Sequence, residues 1–316
     1  MRTDAVVSVD LGGTNLRLGA VTASGKVLLR RRVRMGAYRR KRELLEDLHR
    51  AIRAFSLHAG EAARIRAVCI GFAGYTDTAR GLVYFAPNVG GLSNIDAGPY
   101  LGRRLRAPVF IENDANCAAL GEYDFGAGRG ARSLFMFTLG TGVGGGFIIN
   151  GAVWHGSTGI AGEIGHIVIA AGGRKCSCGA RGCLEAYASA TALVRDYRRR
   201  KGIRGGMGKA LTARQVAGLA KEGDSAALAA VNGAAGALGL GIANVFNLLN
   251  PEVILIGGGL SRAGSILLKP ALERAGKTVF PPLASKLKVK RARLGDDAAL
   301  LGAASLAFSR MGRGKP

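Results

Sequence analysis

Two stretches of this chain share one local pattern: an apolar strand, a polar residue near its end, a glycine turn and a second strand. The first runs from residues 6–9 through Asp10-Leu-Gly12-Gly13-Thr14-Asn to residues 16–21. The second runs from residues 134–139 through Gly140-Thr141-Gly142 into another apolar run, about 128 positions further on. A glycine turn between two strands in each half is what a duplicated α/β fold with two facing lobes shows. A nucleotide would then lie outside the carboxyl ends of the strands. At roughly 100–200 residues per domain, 316 residues suffice for two lobes.

The segment 140–145 matches G-x-G-x-x-G. A dinucleotide fingerprint needs a helix directly after that loop, whereas residues 146–151 read as strand and turn. No G-x-x-x-x-G-K-[ST] occurs either. The remaining chemistry is a hairpin turn whose backbone N–H groups face phosphate oxygens, with Thr14 and Thr141 adding hydroxyl donors. Asp10, at a strand end, suits Mg²⁺ held through water.

Between the two turns, residues 27–33 predict a third strand and residues 43–55 a helix with Leu44, Leu45, Leu48, Ile52 and Phe55 on one face. Residues 67–71 and 109–112 predict strands. Later, a helix spans about 234–249, stopped by Asn250-Pro251, and a buried strand covers 253–256. The Ala-rich segment 297–308 predicts a terminal helix.

Glu112-Asn113-Asp114-Ala-Asn116 follows an apolar strand and opens a helix. Asp114 reads two ways: as a helix N-cap, or as a carboxylate that takes a proton from an alcohol attacking a terminal phosphate. Asn113 offers a donor and an acceptor to sugar hydroxyls. His166, Cys176, Cys178 and Cys183 are spaced H-x₉-C-x-C-x₄-C, and three of the five cysteines fall within eight residues. Thiolates plus an imidazole suit a closed, structural Zn²⁺ site. Cys69 and Cys117 read as ordinary buried thiols.

Net charge is +24, which raises a polyanionic partner. The basic runs at 30–34, 39–42, 198–201 and 286–293 read as solvated surface, the last as a basic-faced strand. Aromatics are 6% and are not interleaved with these runs, which argues against single-strand nucleic-acid binding. No apolar run approaches the roughly 20 residues of a membrane helix, so no membrane association is expected. Five cysteines argue against a disulfide scaffold. Asp4 and Asp10 interrupt the N-terminus before any signal-length apolar stretch, and a cytoplasmic protein is expected.

Taken together, Asp10-Leu-Gly-Gly-Thr-Asn, Ala86-Pro-Asn88, Glu112-Asn-Asp-Ala-Asn116, Leu139-Gly-Thr-Gly-Val-Gly-Gly-Gly146, Ala161-Gly-Glu163-Ile-Gly-His166 and Cys176-x-Cys-Gly-x-x-Gly-Cys183-x-Glu185 resemble the ROK family of sugar kinases and repressors, in the hexokinase and actin-like ATPase superfamily. The resemblance covers about residues 5–308. It implies a two-lobed actin-like fold with duplicated ribonuclease H-like halves: a small lobe of residues 1–113 plus 298–316, and a large lobe of 114–297 holding the zinc loop. It implies ATP-dependent phosphorylation of a hexose at the 6-hydroxyl, glucose first, with Asp114 as general base. N-acetylmannosamine, N-acetylglucosamine or a polyphosphate donor are the alternatives.

By the same resemblance, Asn88, Asn113, Glu163, His166 and Glu185 bind the other sugar hydroxyls, and His166 shares its ring between zinc and sugar. Gly12, Gly13, Thr14, Thr141 and Gly142 cradle the phosphates. Gly257 and Gly258, at a helix start, lie by the adenosine. Family repressors carry an N-terminal helix-turn-helix, which the nine residues before Asp10 are too few to form, so neither a regulator nor specific nucleic-acid binding is expected. A non-catalytic sensor is disfavoured by the intact Asp10, Asp114 and both turns. Leu92 departs from the Trp many members carry. A homodimer or homotetramer is expected.

Overall fold

A computed structural model describes residues 2–13, 15–203 and 211–312. β1 (Thr3–Leu11) is buried from Ala5 onward. A strand buried on both faces belongs mid-sheet, covered from both sides. Accordingly β1 pairs antiparallel with β2 (Asn15–Thr22) and parallel with β4 (Ala63–Phe72). With β3 (Val27–Arg34) and β8 (Val109–Asn113) the sheet order is β3-β2-β1-β4-β8. The edge strand β3 exposes Arg30, Arg31 and Arg32, and such an edge charge row resists strand-to-strand aggregation.

The second sheet contains β9 (Ser133–Leu139), β10 (Val143–Ile149), β11 (Ala152–Val153), β12 (Val253–Gly257) and β13 (Val289–Arg291), in the order β11-β10-β9-β12-β13. β12 runs parallel to β9 and β13. Each sheet thus sets three sequential strands side by side and continues with parallel strands reached by crossovers, the duplicated plan expected from the two glycine turns. A third, small sheet of β5 (Tyr75–Asp77), β6 (Leu82–Ala86) and β7 (Leu92–Ile95) was not anticipated, because strands this short carry too few periods.

α1 (Lys41–Ala62) buries the expected face and adds Ala59. α2 (Ala97–Leu105) precedes β8, and α3 (Asp114–Phe125) follows it without a linker. α9 (Ala298–Arg310) is buried from Ala298 through Phe308. α3 and α9 touch backbone to backbone at two glycines. A methyl group on Gly302 would stand 1.7 Å from the Cys117 carbonyl oxygen, and one on Gly121 would stand 2.1 Å from that of Ala298.

The remaining helices are α4 (Glu185–Ala188), α5 (Ala190–Arg200), α6 (Ala213–Lys221), α7 (Ser225–Leu249) and α8 (Ser265–Thr278). Three expectations need correction here. α7 begins well before residue 234, capped by the Asp224 side chain on Ala227 N–H at 2.8 Å. Its 25 residues are long and apolar enough to cross a bilayer, contrary to the sequence reading. Most of them are buried, however, and the helix packs on α5, α6 and α8 as a core helix does. The basic-faced strand of 286–293 shrinks to β13, because Pro281-Pro282 opens a 3₁₀ turn that runs to Lys286.

The chain divides into two compact units, residues 1–132 with 146–161 and 294–316, and residues 133–145 with 162–293. α3 sides with the first through its glycine contact with α9.

Candidate functional site

In the first unit, strand register aligns the site. Asp10 stands opposite Gly71 and Gly71 opposite Glu112; Leu11, Phe72 and Asn113 form the next row. At about 4.8 Å per strand, the backbones of Asp10 and Glu112 are about 10 Å apart. The glycine turn after β1 and the first turn of α3 therefore emerge at the same end of one sheet. Gly12 N–H closes the turn on the Asn15 carbonyl at 3.0 Å. A methyl on Gly13 would lie 2.8 Å from the Asn88 carbonyl oxygen, so this turn rests on the backbone of exposed Asn88. Thr14 lies outside the described residues.

Asn113, not Asp114, is the N-cap of α3. Its Oδ1 accepts the N–H groups of Ala115 (2.8 Å) and Asn116 (3.1 Å), and its Nδ2 donates to the Gly74 carbonyl at 3.1 Å. Asp114 is the first helical residue and half-buried, with Oδ1 accepting from Ala115 N–H at 2.9 Å. Asp10 is buried and ion-paired with Arg17, whose guanidinium also lies 3.7 Å from Asp296. Burial pushes the Asp10 carboxyl up, and Arg17 opposes that shift. Sequence reasoning missed Arg17 and two further participants. Buried Glu112 accepts from Asn113 N–H, and its other oxygen meets His155 Nε2 at 2.8 Å. The i, i+7 spacing of Asp10 and Arg17 across a hairpin was the one available signal.

In the second unit, Nδ1 or Nε2 of His166 and the sulfurs of Cys176, Cys178 and Cys183 lie within 4.8 Å of one another. Gly179 and Gly182 take the left-handed backbone that the tight loop needs, and Cys176 N–H bonds the Ala180 carbonyl at 2.8 Å. Three thiols and an imidazole form a donor set suited to tetrahedral Zn²⁺. Burial and the neighbouring thiols push Cys183 up to about 12, a penalty that a bound cation offsets by holding thiolates. Arg174, beside the loop, is held by Asp196 of α5 at 2.9 Å.

His166 faces two ways: Nδ1 lies 3.8 Å from Cys176 Sγ, and Nε2 lies 3.9 Å from Glu163 Oε2. Burial pushes the Glu163 carboxyl up, opposed by His166. Glu185 Oε2 accepts Val143 N–H at 3.0 Å and its Oε1 accepts the Ser177 hydroxyl at 2.9 Å. One carboxylate thus ties the second glycine turn to the cysteine loop, and a methyl on Gly142 would stand 2.3 Å from it. The Thr141 carbonyl accepts from Thr191 Oγ1 at 2.8 Å. Gly257 ends β12. Gly258, at φ 83°, lies so close to Leu139 that a methyl would meet its carbonyl oxygen at 2.4 Å. The helix expected there is a short 3₁₀ turn, Gly259–Ala263, and α8 starts only at Ser265.

Two sheets built on one plan, each with its own glycine turn, define an actin-like ATPase fold carrying a Cys₃His donor set suited to zinc. The chain belongs to the ROK family, whose model matches residues 6–310. It is 37% identical to a glucokinase of Thermotoga maritima across 97% of this chain and 98% of that relative. Among solved structures, a ROK family glucokinase from Streptomyces griseus in complex with glucose and AMPPNP is 34% identical, with TM-score 0.81 over 96% of this chain and 98% of that one. A ROK hexokinase from Thermus thermophilus is 33% identical, with TM-score 0.82 over 98% of this chain and 100% of that one.

Proposed function

We propose that this chain is an ATP-dependent hexose kinase that phosphorylates the 6-hydroxyl of glucose, with Asp114 as general base. The observation that carries the reading is the register of β1, β4 and β8, which brings Asp114 and the first glycine turn out at one sheet end. The near-full-length similarity to glucokinases supports the substrate class.

In the reaction, the sugar 6-oxygen forms a bond to the γ-phosphorus while the bond to the bridging oxygen of ADP breaks. The hydroxyl proton passes to the Asp114 carboxylate. Positioning supplies most of the acceleration in such transfers, and a placed base adds about 10²–10⁴-fold. Asn88, Asn113, Glu163, His166 and Glu185 hold the remaining hydroxyls. Asn113 has a second Nδ2 hydrogen for this after capping α3. Gly12, Gly13, Thr141 and Gly142 present the phosphate-facing backbone, Thr14, outside the described residues, is assigned to the same cradle, and Gly257 and Gly258 border the adenosine.

Two carboxylates, Asp10 and Asp296, share one guanidinium, Arg17, which leaves a net −1 suited to a hydrated divalent cation. When bound there, Mg²⁺ supplies charge neutralisation at the phosphates. His166, Cys176, Cys178 and Cys183 would hold Zn²⁺, which would fix the tautomer and orientation of the His166 ring.

The test is a coupled assay of glucose, mannose, N-acetylglucosamine and N-acetylmannosamine with ATP or polyphosphate, run on the wild-type protein and D114N. Highest kcat/KM for glucose with ATP, and a drop in kcat of about 10²–10⁴-fold in D114N, is the expected result. Full turnover in zinc-loaded D114N removes Asp114 from the mechanism; no turnover of any sugar by the wild type removes the kinase reading.

A further inference from the structure

We infer that His155, acting through buried Glu112, is a positioning residue that locks the first turn of α3 to the segment leading into Glu163. The inference rests on Asp114 being the base. Glu112 is 1% exposed, and a carboxylate so placed needs its lone pairs filled. One oxygen accepts Asn113 N–H at 2.9 Å and Asn116 Nδ2 at 3.0 Å; the other meets His155 Nε2 at 2.8 Å. With the carboxylate as acceptor, Nε2 carries the hydrogen. The two asparagine donors flank Asp114 on either side. Glu112 is thus clamped to the residues that aim the base, and among the described residues His155 is the donor that arrives from a distant part of the chain.

The hairpin of β10 and β11 delivers His155. Ile148 pairs with Val153, and Trp154 N–H returns to the Phe147 carbonyl at 2.7 Å. The same hairpin lies on α3: a methyl on Gly146 would meet Ala119 Cβ at 2.7 Å and the Ala115 carbonyl at 2.9 Å. Beyond His155 the chain runs through Gly156 and Gly159, both left-handed, with Ala161 N–H bonded to the His155 carbonyl at 3.0 Å. Two residues later comes Glu163, assigned above to the sugar. Asn116 Oδ1 is buried with no hydrogen-bond partner among the described residues, so this network keeps one unused acceptor beside the base. His155 thus holds Glu112, and through it the turn that carries Asp114.

The chain carries its own reporter, since its single tryptophan, Trp154, adjoins His155 and is 54% exposed. The experiment compares wild type, H155L, H155Q, H155N, E112Q and H155L/E112Q by steady-state kinetics and by Trp154 emission during glucose titration, with D114N alongside. Gln can reach Glu112 with an amide donor; Asn, one carbon shorter, cannot. Expected in H155L and H155N are a glucose KM raised and a kcat lowered by about 10–100-fold each, an unchanged KM for ATP, and an emission response shifted to higher glucose. H155Q recovers most of the loss, and the double variant is no worse than the poorer single variant. The inference is overturned by H155L within twofold of wild type, by equal loss in H155Q and H155N, by additive losses at 112 and 155, or by a wild-type emission indifferent to glucose. Undiminished turnover in D114N instead refutes the role of Asp114 itself, and is distinguished because the emission shift is read without chemistry.

Discussion

Gly302→Ala tests whether the α3–α9 contact sets the position of Asp114. The added methyl would stand 1.7 Å from the Cys117 carbonyl oxygen and 2.7 Å from Gly121 N. Real Cβ contacts essentially never fall below 3.0 Å, so the helices must part by at least 1.3 Å at that point. The obstruction is backbone and cannot rotate away. Overpacking of this kind costs about 1–3 kcal/mol, and the upper value applies where neither side can yield. For 316 residues that upper value corresponds to a melting temperature lower by roughly 4–5 °C. Cys117 is one helical turn from Asp114, and a 1 Å misplacement of a reacting group costs about 10²-fold. We therefore expect G302A to lose about two orders of magnitude in kcat as well as stability, read by thermal melting and the coupled glucose assay. Gly276→Ala is the control. Its methyl meets open space in α8, and it should gain about 0.5–1 kcal/mol with full activity. A lower melting temperature in G302A with unchanged kcat would place the shift in α9 alone and refute the link to the base.

Zinc removal is expected to loosen the sugar side of the site. Purified protein should hold one zinc per chain by elemental analysis, and C178S should lose it and raise the glucose KM more than the ATP KM. The Asp196 cluster gives a pH signature. Burial pushes the Asp196 carboxyl up, but hydrogen bonds from Arg199 and Arg200 and the charge of Arg174 outweigh it and leave it below the usual range. A depressed folded pKa stabilises above the unfolded value of about 3.9 and loses that contribution as pH falls through the folded value. The melting-temperature gap between wild type and D196N should be full at neutral pH and close below about pH 4; a gap independent of pH would contradict this account.

The duplicated plan was legible because a glycine turn between two apolar strands is a local signal, and so was the zinc set, whose ligands lie within one short segment. The start of α7 was not. Its first turns are alanines, which favour helix without marking a face, and the cap depends on one Asp224 side chain. The cap was read one residue late, at Asp114 instead of Asn113. Both residue types serve, and the choice is made by the extended backbone at 113, φ −69° and ψ 143°. The roles of Glu185 on the second glycine turn and of His155 on Glu112 span 42 and 43 positions, and no periodicity reaches that far.

The charge imbalance takes its meaning from where the two signs sit. Among the described residues, the buried charged side chains are Asp10, Glu112, Glu122 and Asp196, and no lysine or arginine joins them. Among the described residues the positive excess is therefore a surface property, as the exposed arginines of β3 illustrate. The buried acids each collect donors at a junction. Asp10 takes Arg17 beside the first glycine turn, and Glu112 fixes the start of α3. Glu122 accepts Ala127 N–H at 2.8 Å and Leu294 N–H at 2.6 Å, which joins the end of α3 to the approach to α9. Asp196 anchors Arg174 at the cysteine loop. Because an unpaired buried carboxylate is costly, each of these positions tolerates only the geometry that supplies its donors. Four scattered acids thus constrain the elements that carry the candidate site, while no basic side chain among the described residues is buried.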